Sequence, residues 1–553
     1  MIVALKHLDL VCVAADRERT LERLRDLGAV HLDLLQAQGT AIADLRGEIA
    51  DAERAVRLVL KARGKAPRDS FDLRPRSVAE VLAVEQDRLA LIAEQEYLDR
   101  QVKEYEPYGD FDPELARRLL EKGVDLSGRL PAKLPEMRLS RLREKLSCVT
   151  NRINIDQAKL AATDEEAILR RNPDLAERLA FEQAKELMQQ KGAVAVISGW
   201  VPVTRLADLQ ARIAAEGWGA LLRDPAADET PPTLINPPRA FRPVRALFAG
   251  LGIAPAYDEA DVSVPFMCYF SLFFAMLVGD GAYGVIFLAV TLFCWRKLVK
   301  PGQAMTPQLA VTRSWLVLMT VFSLATIAWG VLSNTWFGEG LPWCANWPTV
   351  RWLAGADAGA GHEYDNMMFL CFTIGVSHLL LARIWNGICK INSRAALSEF
   401  GWAGIVLFMY VLTNSIVGIF GGVPTWCYWM FGLSFLSVFV QAKGMDKGML
   451  FLNTMSVLGD IISYVRLFAV GLASVKVAQN FNSMALDLGL PIWLKWLPLV
   501  LILLIGHGLN LAMAGLSVLV HAVRLNTLEF SNHKGVSWAG YAFRPFGRKE
   551  FKV

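Results

Sequence analysis

The charged residues of this chain are concentrated in its first half, and this asymmetry limits the folds open to it. Residues 1–260 hold 42 of the 54 acidic and 39 of the 58 basic residues, which leaves 12 and 19 for residues 261–553. A charge-poor, apolar second half is typical of a polytopic membrane domain, whereas the first half is typical of a soluble region. The net charge of +4 is too small to predict nucleic-acid binding.

One arginine lies in the middle of a long apolar stretch. Arg466 occupies the centre of Ser463–Ala473, and Arg524 ends the next apolar segment. A guanidinium group stays protonated and is costly to hold in lipid, so it is expected only where it faces protein or water and has a function. The two cations predict a membrane protein that handles ions.

The soluble half contains the same strand–helix–strand order twice, in residues 1–36 and 192–223. Two such units that are separated in sequence can combine into one small α/β lobe. The predicted elements are Ile2–Val13, Arg17–Asp26 and Val30–Leu34, then Val194–Ile197, Arg205–Glu216 and Gly219–Leu222.

Long helical patterns lie between these two units. Gln36–Arg63 and Ser77–Glu106 carry apolar residues at heptad-like spacing, with a return helix expected over Arg138–Gln190. We therefore predict an elongated antiparallel coiled-coil arm with a second, smaller lobe near residues 107–137. An ordinary helical bundle is the alternative.

The second half contains segments long enough to span a bilayer, which takes roughly 20 helical residues. The segments are 314–336, 366–389, 401–421 and 427–442, with two longer ones at about 448–485 and 491–526. At about 1.5 Å per residue the two long segments exceed the bilayer core, so we expect them to protrude or to lie strongly tilted. The first apolar block, 263–295, is broken at Gly279–Gly284.

The loop charges determine how many times that first block crosses. If it crosses twice, the basic residues alternate between loops and the outward stretches keep only Arg351 and Lys495. We therefore predict eight crossings with both termini in the cytoplasm, and Met1–Val13 is a poor signal peptide. The predicted domains are a cytoplasmic arm over 1–240, a linker over 241–262, a transmembrane domain over 263–530 and a cytoplasmic tail over 531–553.

A polar stripe runs along the last long segment. Helical steps back from Arg524 reach His521, Ser517, Asn510 and His507, so all are expected near one face. Such a stripe predicts one wall of a hydrated path, and histidine suits proton relay because it titrates near neutral pH. The alternative is that His507 and Asn510 hydrogen-bond a neighbouring helix.

Arg466 shares its own helix face mainly with small residues, which let another helix approach closely or slide past. Ser463 and Asp460 belong to a second polar line on the same helix, and Asp460 has an alternative role as the partner of a nearby cation. No acidic residue shares the face of Arg466.

Several other functions are excluded by the motifs. The G-x-G-x-x-G at Gly279–Gly284 lacks the preceding strand of a dinucleotide site, and the chain has no Walker P-loop. The eight cysteines show no CxxC pair or zinc spacing, so we expect no metal and no cofactor. Cys344 and Cys427 could form a disulfide, although free thiols are favoured.

These residues resemble the membrane-embedded stator subunit of V-type and A-type rotary ATPases, called subunit a or subunit I. Ser463–Ala473 is similar to the family signature S-Y-x-R-L-x-A-x-x-L-A, and His521–Leu525 followed by Leu528–Phe530 resembles the second arginine motif, which places Glu529 in the family tail. Gly279–Gly284, Gly199–Pro202 and Gly540–Phe546 resemble further family motifs, and the length implies the bacterial type. Leu452, Ala514 and Ser474 depart from two acidic residues and a histidine of the eukaryotic branch.

The resemblance implies two offset half-channels facing a rotating proteolipid ring whose subunits carry membrane carboxylates. Arg466, supported by Arg524, would favour the charged form of each carboxylate and so release its proton or sodium ion. The implied partners are that ring, peripheral-stalk subunits on the soluble arm, a central-stalk adaptor and membrane lipid, with ATP chemistry on other subunits. The implied location is the bacterial inner membrane.

Two functions from other classes remain as alternatives. A secondary transporter would require paired broken helices in two repeated halves, and only one broken segment is visible. A membrane-anchored coiled-coil scaffold would leave the arginines unexplained.

Overall fold

The computed structural model describes residues 2–32, 39–62, 77–122, 131, 133–163, 165–299, 307–342, 345–353, 355, 362, 364–442, 444–488 and 491–547. The chain is mainly helical, with one small sheet. It divides into two compact units. One comprises Met1–His7, Trp200–Gln210 and Leu222–Val553, and the other comprises Leu8–Gly199 and Ala211–Leu221.

The sheet has the strand order β2-β3-β1-β4, with β1 at Leu5–Val13, β2 at Gln189–Lys191, β3 at Val194–Pro202 and β4 at Gly219–Arg223. In β1, Leu8, Leu10 and Cys12 alternate into the core, as a half-buried strand requires. The prediction that strands from both chain segments join one sheet is confirmed. The expected strand Val30–Leu34 is reduced to a bridge residue at His31, while residues 33 and 34 lie outside the described residues.

Two helices accompany these strands, α1 at Arg17–Leu27 and α7 at Leu206–Glu216. Helix α1 ends at Gly28, which takes φ +58 and donates its backbone N–H to Leu24 O. A left-handed residue of this kind closes a helix at little steric cost only when it is glycine. Both helices lie where the sequence predicted them.

The described residues between α1 and β2 contain five α-helices: α2 Thr40–Ala62, α3 Val78–Tyr105, α4 Pro113–Glu121, α5 Leu139–Ala162 and α6 Glu165–Leu187. Helix α3 packs on α5 and α2 packs on α6. Leu98 is buried in the α3–α5 core, and the polar heptad residue Gln95 donates to Thr150 Oγ1 at 2.9 Å across the same interface. The coiled-coil arm itself stays a prediction.

The predicted single return helix over Arg138–Gln190 is wrong. Helix α5 ends at Ala162, and Thr163 takes an extended conformation with φ −66 and ψ 139. The heptad pattern on both sides of this residue conceals the break, because side-chain periodicity does not report the backbone angles of one residue.

The remaining helices follow in the second half of the chain. They are α8 Val244–Leu251, α9 Ser263–Val278, α10 Gly281–Leu298, α11 Pro307–Ser333, α12 Pro348–Leu353, α13 Asp365–Cys389, α14 Ala395–Ile416, α15 Thr425–Gln441, α16 Met445–Ile462, α17 Val465–Leu486, α18 Ile492–Ser517 and α19 Ser531–Lys534. Two π-helical segments, Val518–Ala522 and Leu525–Phe530, connect α18 to α19.

Six stretches of the described residues are long and apolar enough to cross a bilayer: Gly281–Leu298, Leu309–Ser333, Asp365–Cys389, Ala395–Ile416, Lys447–Leu486 and Trp496–Lys534. The last two contain 40 and 39 residues. Helices α9 and α15, with 16 and 17 residues, lie where the sequence predicted two further crossings. The chain is therefore a membrane protein, and the count of eight crossings stays a prediction.

The break between α9 and α10 is confirmed. Gly279 takes φ +70, and the Asp280 carboxylate accepts the backbone N–H of Ala282 at 2.8 Å and of Gly338 at 2.7 Å. One buried carboxylate thus caps α10 and also holds the loop that follows α11.

The long segment at 448–485 consists of two helices, because the α-helical bonding is interrupted at Ser463 and Tyr464. The last long segment continues through the π-helical residues to Lys534, beyond the boundary predicted at residue 530. Both changes in helical geometry lie beside the arginines.

Candidate functional site

Both arginines singled out by the sequence converge on one carboxylate. Arg466 Nη2 lies 3.1 Å from Glu529 Oε1, and Arg524 Nε lies 3.4 Å from the same oxygen. The side chain of Glu529 is 4% exposed, whereas those of Arg466 and Arg524 are 21% and 54% exposed. We call these three residues the arginine cluster, in which one buried negative charge is shared by a half-buried and an exposed cation.

The π-helical segments explain how Arg524 and Glu529 meet. The two residues are five apart, and in an α-helix such residues diverge by about 140° around the axis. A π-helix bonds residue i to i+5 and so brings residues five apart toward one face. Residues Leu525–Phe530 are π-helical, which turns Glu529 toward both arginines.

This geometry adds an internal partner for Arg466, while its pairing with a carboxylate of another chain stays a prediction. In the structure that internal partner is Glu529 of the same chain. The sequence singled out Glu529 only through the resemblance to the family tail, and a uniform α-helical spacing does not place it on the face of Arg524. The second oxygen, Oε2, is buried and has no hydrogen-bond partner among the described residues.

A second group surrounds His507 and Asn510, and we call it the tyrosine network. Asn510 Nδ2 donates to the hydroxyl of Tyr283 at 3.0 Å, and Ser474 Oγ lies 3.0 Å from Asn510 Oδ1. The Tyr283 hydroxyl lies 2.8 Å from His507 Nδ1, and His507 Nε2 lies 3.1 Å from Asn482 Oδ1. Five side chains from α10, α17 and α18 therefore form one continuous hydrogen-bond chain.

The hydrogen-bond donors of the tyrosine network can all point in the same direction. Asn482 Oδ1 accepts only, so His507 donates from Nε2 and accepts at Nδ1 from the hydroxyl of Tyr283. That hydroxyl accepts from Asn510, and Asn482 Nδ2 donates onward to the backbone oxygen of Phe337 at 2.7 Å. Each of these hydrogen bonds therefore has one donor and one acceptor.

Sequence reasoning missed Tyr283, Ser474 and Asn482. Tyr283 lies within the Gly279–Gly284 break, which was interpreted only as a turn. Ser474 occupies the position where the eukaryotic branch of the resembled family has a histidine, and this was the available signal.

The residues of the predicted stripe do not form one hydrogen-bonded group. His507 and Asn510 belong to the tyrosine network, whereas Arg524 belongs to the arginine cluster. Ser517 and His521 lie between them along the chain, at the point where α18 becomes π-helical, and His521 Nδ1 is buried without a hydrogen-bond partner among the described residues. The π-helical turn shifts the register, so a straight α-helical projection fails beyond Ser517.

Asp460 belongs to a third group. Its Oδ2 lies 3.1 Å from His533 Nε2, and Arg383 Nε donates to His533 Nδ1 at 3.1 Å. Arg383 also contacts Glu399 at 3.3 Å, and Glu399 contacts the exposed Lys390 at 2.7 Å. Asp460 therefore hydrogen-bonds a histidine, with Arg383 one hydrogen bond further on, and its alternative role as the partner of a cation stays a prediction.

Ser463 hydrogen-bonds to the backbone of the helix that precedes it, donating from Oγ to Gly459 O at 2.9 Å. It stands at the interruption between α16 and α17, two residues before α17 begins at Val465. Its hydroxyl is therefore engaged by the backbone at the point where the helix is interrupted.

The described residues contain no group of three or more His, Cys, Asp or Glu side chains that could hold a metal ion. Cys427 is a buried free thiol, while Cys344 lies outside the described residues. The polar groups of the site are therefore charged and hydrogen-bonding side chains.

The fold and the site together define a class: a helical membrane protein with a buried ion-pair cluster and a hydrogen-bonded polar chain between its helices. Charged residues inside membrane segments mark ion or proton pathways. No family model matches the chain.

Three curated relatives indicate the family. The chain is 29% identical to V-type ATP synthase subunit I 1 of Treponema pallidum, over 99% of this chain and 100% of that protein. It is 32% identical to V-type ATP synthase subunit I of Borreliella burgdorferi, over 66% of this chain and 62% of the relative. It is 24% identical to A-type ATP synthase subunit I of Methanocaldococcus jannaschii, over 74% of this chain and 64% of that protein. The chain is a homologue of subunit I of the V-type and A-type ATP synthases.

Proposed function

We propose that this chain is the stator subunit in the membrane sector of a V/A-type rotary ATPase. It would form the ion half-channels against a proteolipid rotor ring and couple proton or sodium translocation to ATP hydrolysis or synthesis. The names of the relatives support this function, and the arginine cluster is the observation that carries it.

The arginine cluster supports a mechanism in which Glu529 and a rotor carboxylate pair with Arg466 in turn. A carboxylate that faces lipid must be neutral, because a bare charge there costs several kcal/mol. Beside Arg466 its charged form is favoured, so the bound ion leaves. In the absence of a rotor carboxylate Glu529 neutralises Arg466, and each arriving rotor carboxylate competes with Glu529 for that guanidinium.

The two polar groups on either side of the cluster supply the half-channels of this proposal. The tyrosine network, with His507 and Asn510, would conduct on one side, and Asp460 with Ser463 would conduct on the other. Ser517 and His521 lie along the chain between the tyrosine network and Arg524 and would complete the first path. Arg466 separates the two paths by its fixed charge and prevents a direct leak.

The topology and the partners belong to the same proposal. We propose eight crossings, with α9 and α15 added to the six long apolar stretches, in the bacterial inner membrane with both termini in the cytoplasm. Residues 1–240 would form a coiled-coil arm that docks peripheral-stalk subunits, followed by a linker over 241–262, the translocation domain over 263–530 and a tail over 531–553. A central-stalk adaptor, the rotor ring and lipid are the other partners, and ATP chemistry occurs on other subunits.

The test is Arg466→Ala in the assembled complex, measured as ATP-driven ion pumping into vesicles. We expect pumping to be abolished while the complex still assembles. Lys476→Ala is the matched control, because Lys476 is an exposed cation on the same helix and lies outside the cluster. Pumping near the wild-type rate in Arg466→Ala would show that the proposed role is wrong.

Copurification separates this function from its rivals. Only the stator function requires a proteolipid ring and stalk subunits to accompany the chain through purification. A secondary transporter or an anchored scaffold would purify without them.

A further inference from the structure

A buried histidine holds the helix interruption that precedes Arg466. His378, in α13, lies with Nδ1 2.9 Å from the hydroxyl of Tyr464, and both side chains are 0% exposed. Tyr464 stands between α16 and α17, two residues before Arg466. The hydrogen bond therefore ties α13 to the point where the arginine-bearing helix begins.

The same histidine also contacts the segment that carries Glu529. Its ring stacks on Phe530 at 4.4 Å with an interplanar angle of 9°, and on Tyr269 at 4.0 Å with an angle of 24°. Two nearly parallel rings this close can only occupy opposite faces of the imidazole. Phe530 follows Glu529 directly, so His378 touches the chain beside both members of the ion pair.

The arrangement is costly, which argues for a function. Gly375 leaves the space that Tyr464 fills, because a Cβ on that glycine would lie 2.5 Å from Tyr464 Cγ. His378 Nε2 is buried without a hydrogen-bond partner among the described residues. An unpaired buried polar atom is unfavourable, so packing alone would be served better by an apolar side chain.

The backbone around Tyr464 explains why an anchor is needed there. Arg466 N donates to Ser463 O at 3.3 Å and Leu467 N donates to Tyr464 O at 3.0 Å, both across three residues rather than four. An interrupted helix of this kind does not set the direction of the residues that follow as firmly as continuous α-helix does. The buried side chain of Tyr464 lies at this interruption, two residues before Arg466.

We propose that His378 and Tyr464 form a positioning pair that holds Arg466 and Glu529 at ion-pair distance. The inference rests on the proposed function, because it assigns these two residues a part in ion translocation. Neither side chain touches the transported ion, and both act through the arginine cluster.

The test is Tyr464→Phe in the assembled complex, measured as ions pumped per ATP hydrolysed. We expect this ratio to fall about five- to tenfold, because a small misplacement of a reacting group is costly. Tyr410→Phe is the matched control, since the Tyr410 hydroxyl makes a 2.8 Å bond to Thr373 Oγ1 on the same helix α13. Both variants lose one hydroxyl bond to α13, and only Tyr464→Phe is expected to lower the ratio.

Two variants of the histidine complete the test. His378→Asn keeps a polar atom near the position of Nδ1 and is expected to retain more pumping per ATP than His378→Phe, which keeps only the ring. Tyr464→Phe combined with His378→Phe is expected to be no worse than His378→Phe alone. Equal ratios in Tyr464→Phe and Tyr410→Phe would overturn the positioning pair, and if Arg466→Ala still abolishes pumping, the proposed function survives that failure.

Discussion

Replacing Glu529 with glutamine tests the arginine cluster most directly. At 3.1 Å and an effective dielectric constant of about 20, the attraction between Glu529 and Arg466 is about 5 kcal/mol before desolvation is subtracted. Truncating one partner of a fully buried pair costs about 3–5 kcal/mol. Arg466 is 21% exposed, so water relieves part of its unpaired charge. We therefore expect Glu529→Gln to destabilise the protein by about 2–3 kcal/mol.

The assay is a double-mutant cycle of Glu529→Gln with Arg466→Gln, followed by thermal unfolding in detergent. The coupling free energy between these two residues is expected to be about 2 kcal/mol. The same cycle with Arg524→Gln is expected to give less than about 1 kcal/mol, because the Arg524 side chain is 54% exposed and an exposed pair contributes little. Asp487→Asn, an exposed acid that follows α17, is the matched control.

The relative size of the two coupling free energies tests whether Glu529 is the counter-ion of Arg466. Burial predicts that the Arg466 coupling is the larger one. If the coupling to Arg524 equals or exceeds it, or if Glu529→Gln unfolds at the same temperature as Asp487→Asn, then Glu529 is not the buried counter-ion of Arg466.

Three further predictions follow from single contacts. Gly330→Ala is expected to lower the melting temperature, because its Cβ would overlap the backbone of α10, whereas Gly432→Ala, with open space around it, is expected to raise it slightly. Tyr283→Phe is expected to slow pumping about tenfold and to destabilise the protein by about 1–3 kcal/mol, because the hydroxyl links the tyrosine network and its loss leaves Asn510 Nδ2 and His507 Nδ1 without that partner. Replacing the buried Leu98 with alanine is expected to lower the free energy of unfolding by about 2–5 kcal/mol, whereas Leu89→Ala at an exposed position is expected to lower it by less than about 0.5 kcal/mol. Hydrogen exchange in α5 and thermal unfolding measure both.

The parts of the fold that depend on local chemistry were predictable. Gly279 and Asp280 marked the break between α9 and α10, because glycine permits a positive φ and aspartate caps the next helix. Alternating apolar residues marked β1. The break at Thr163 was not predictable, since the apolar pattern continues on both sides of it.

The parts of the site that depend on helix register were predicted less well. The two arginines stood out in the sequence and Glu529 entered through the resemblance, but a uniform α-helical period gives no reason for Arg524 and Glu529 to meet. The π-helical segment changes that period within one turn, and its Leu525 side chain is buried in a core shared with other helices. The pairing of His378 with Tyr464 was not predicted for a related reason, because the two residues are 86 apart in the chain.

The sequence by itself determined that half of this chain is apolar enough for a membrane. It also determined that two arginines within that half are costly enough to imply a function. Hydropathy and charge are properties of residues, so they can be counted without a structure. Only the tertiary structure decided which carboxylate neutralises Arg466. Contacts at about 3 Å depend on how separate helices pack, and here one π-helical turn brings a glutamate from 63 residues further along the chain to the arginine.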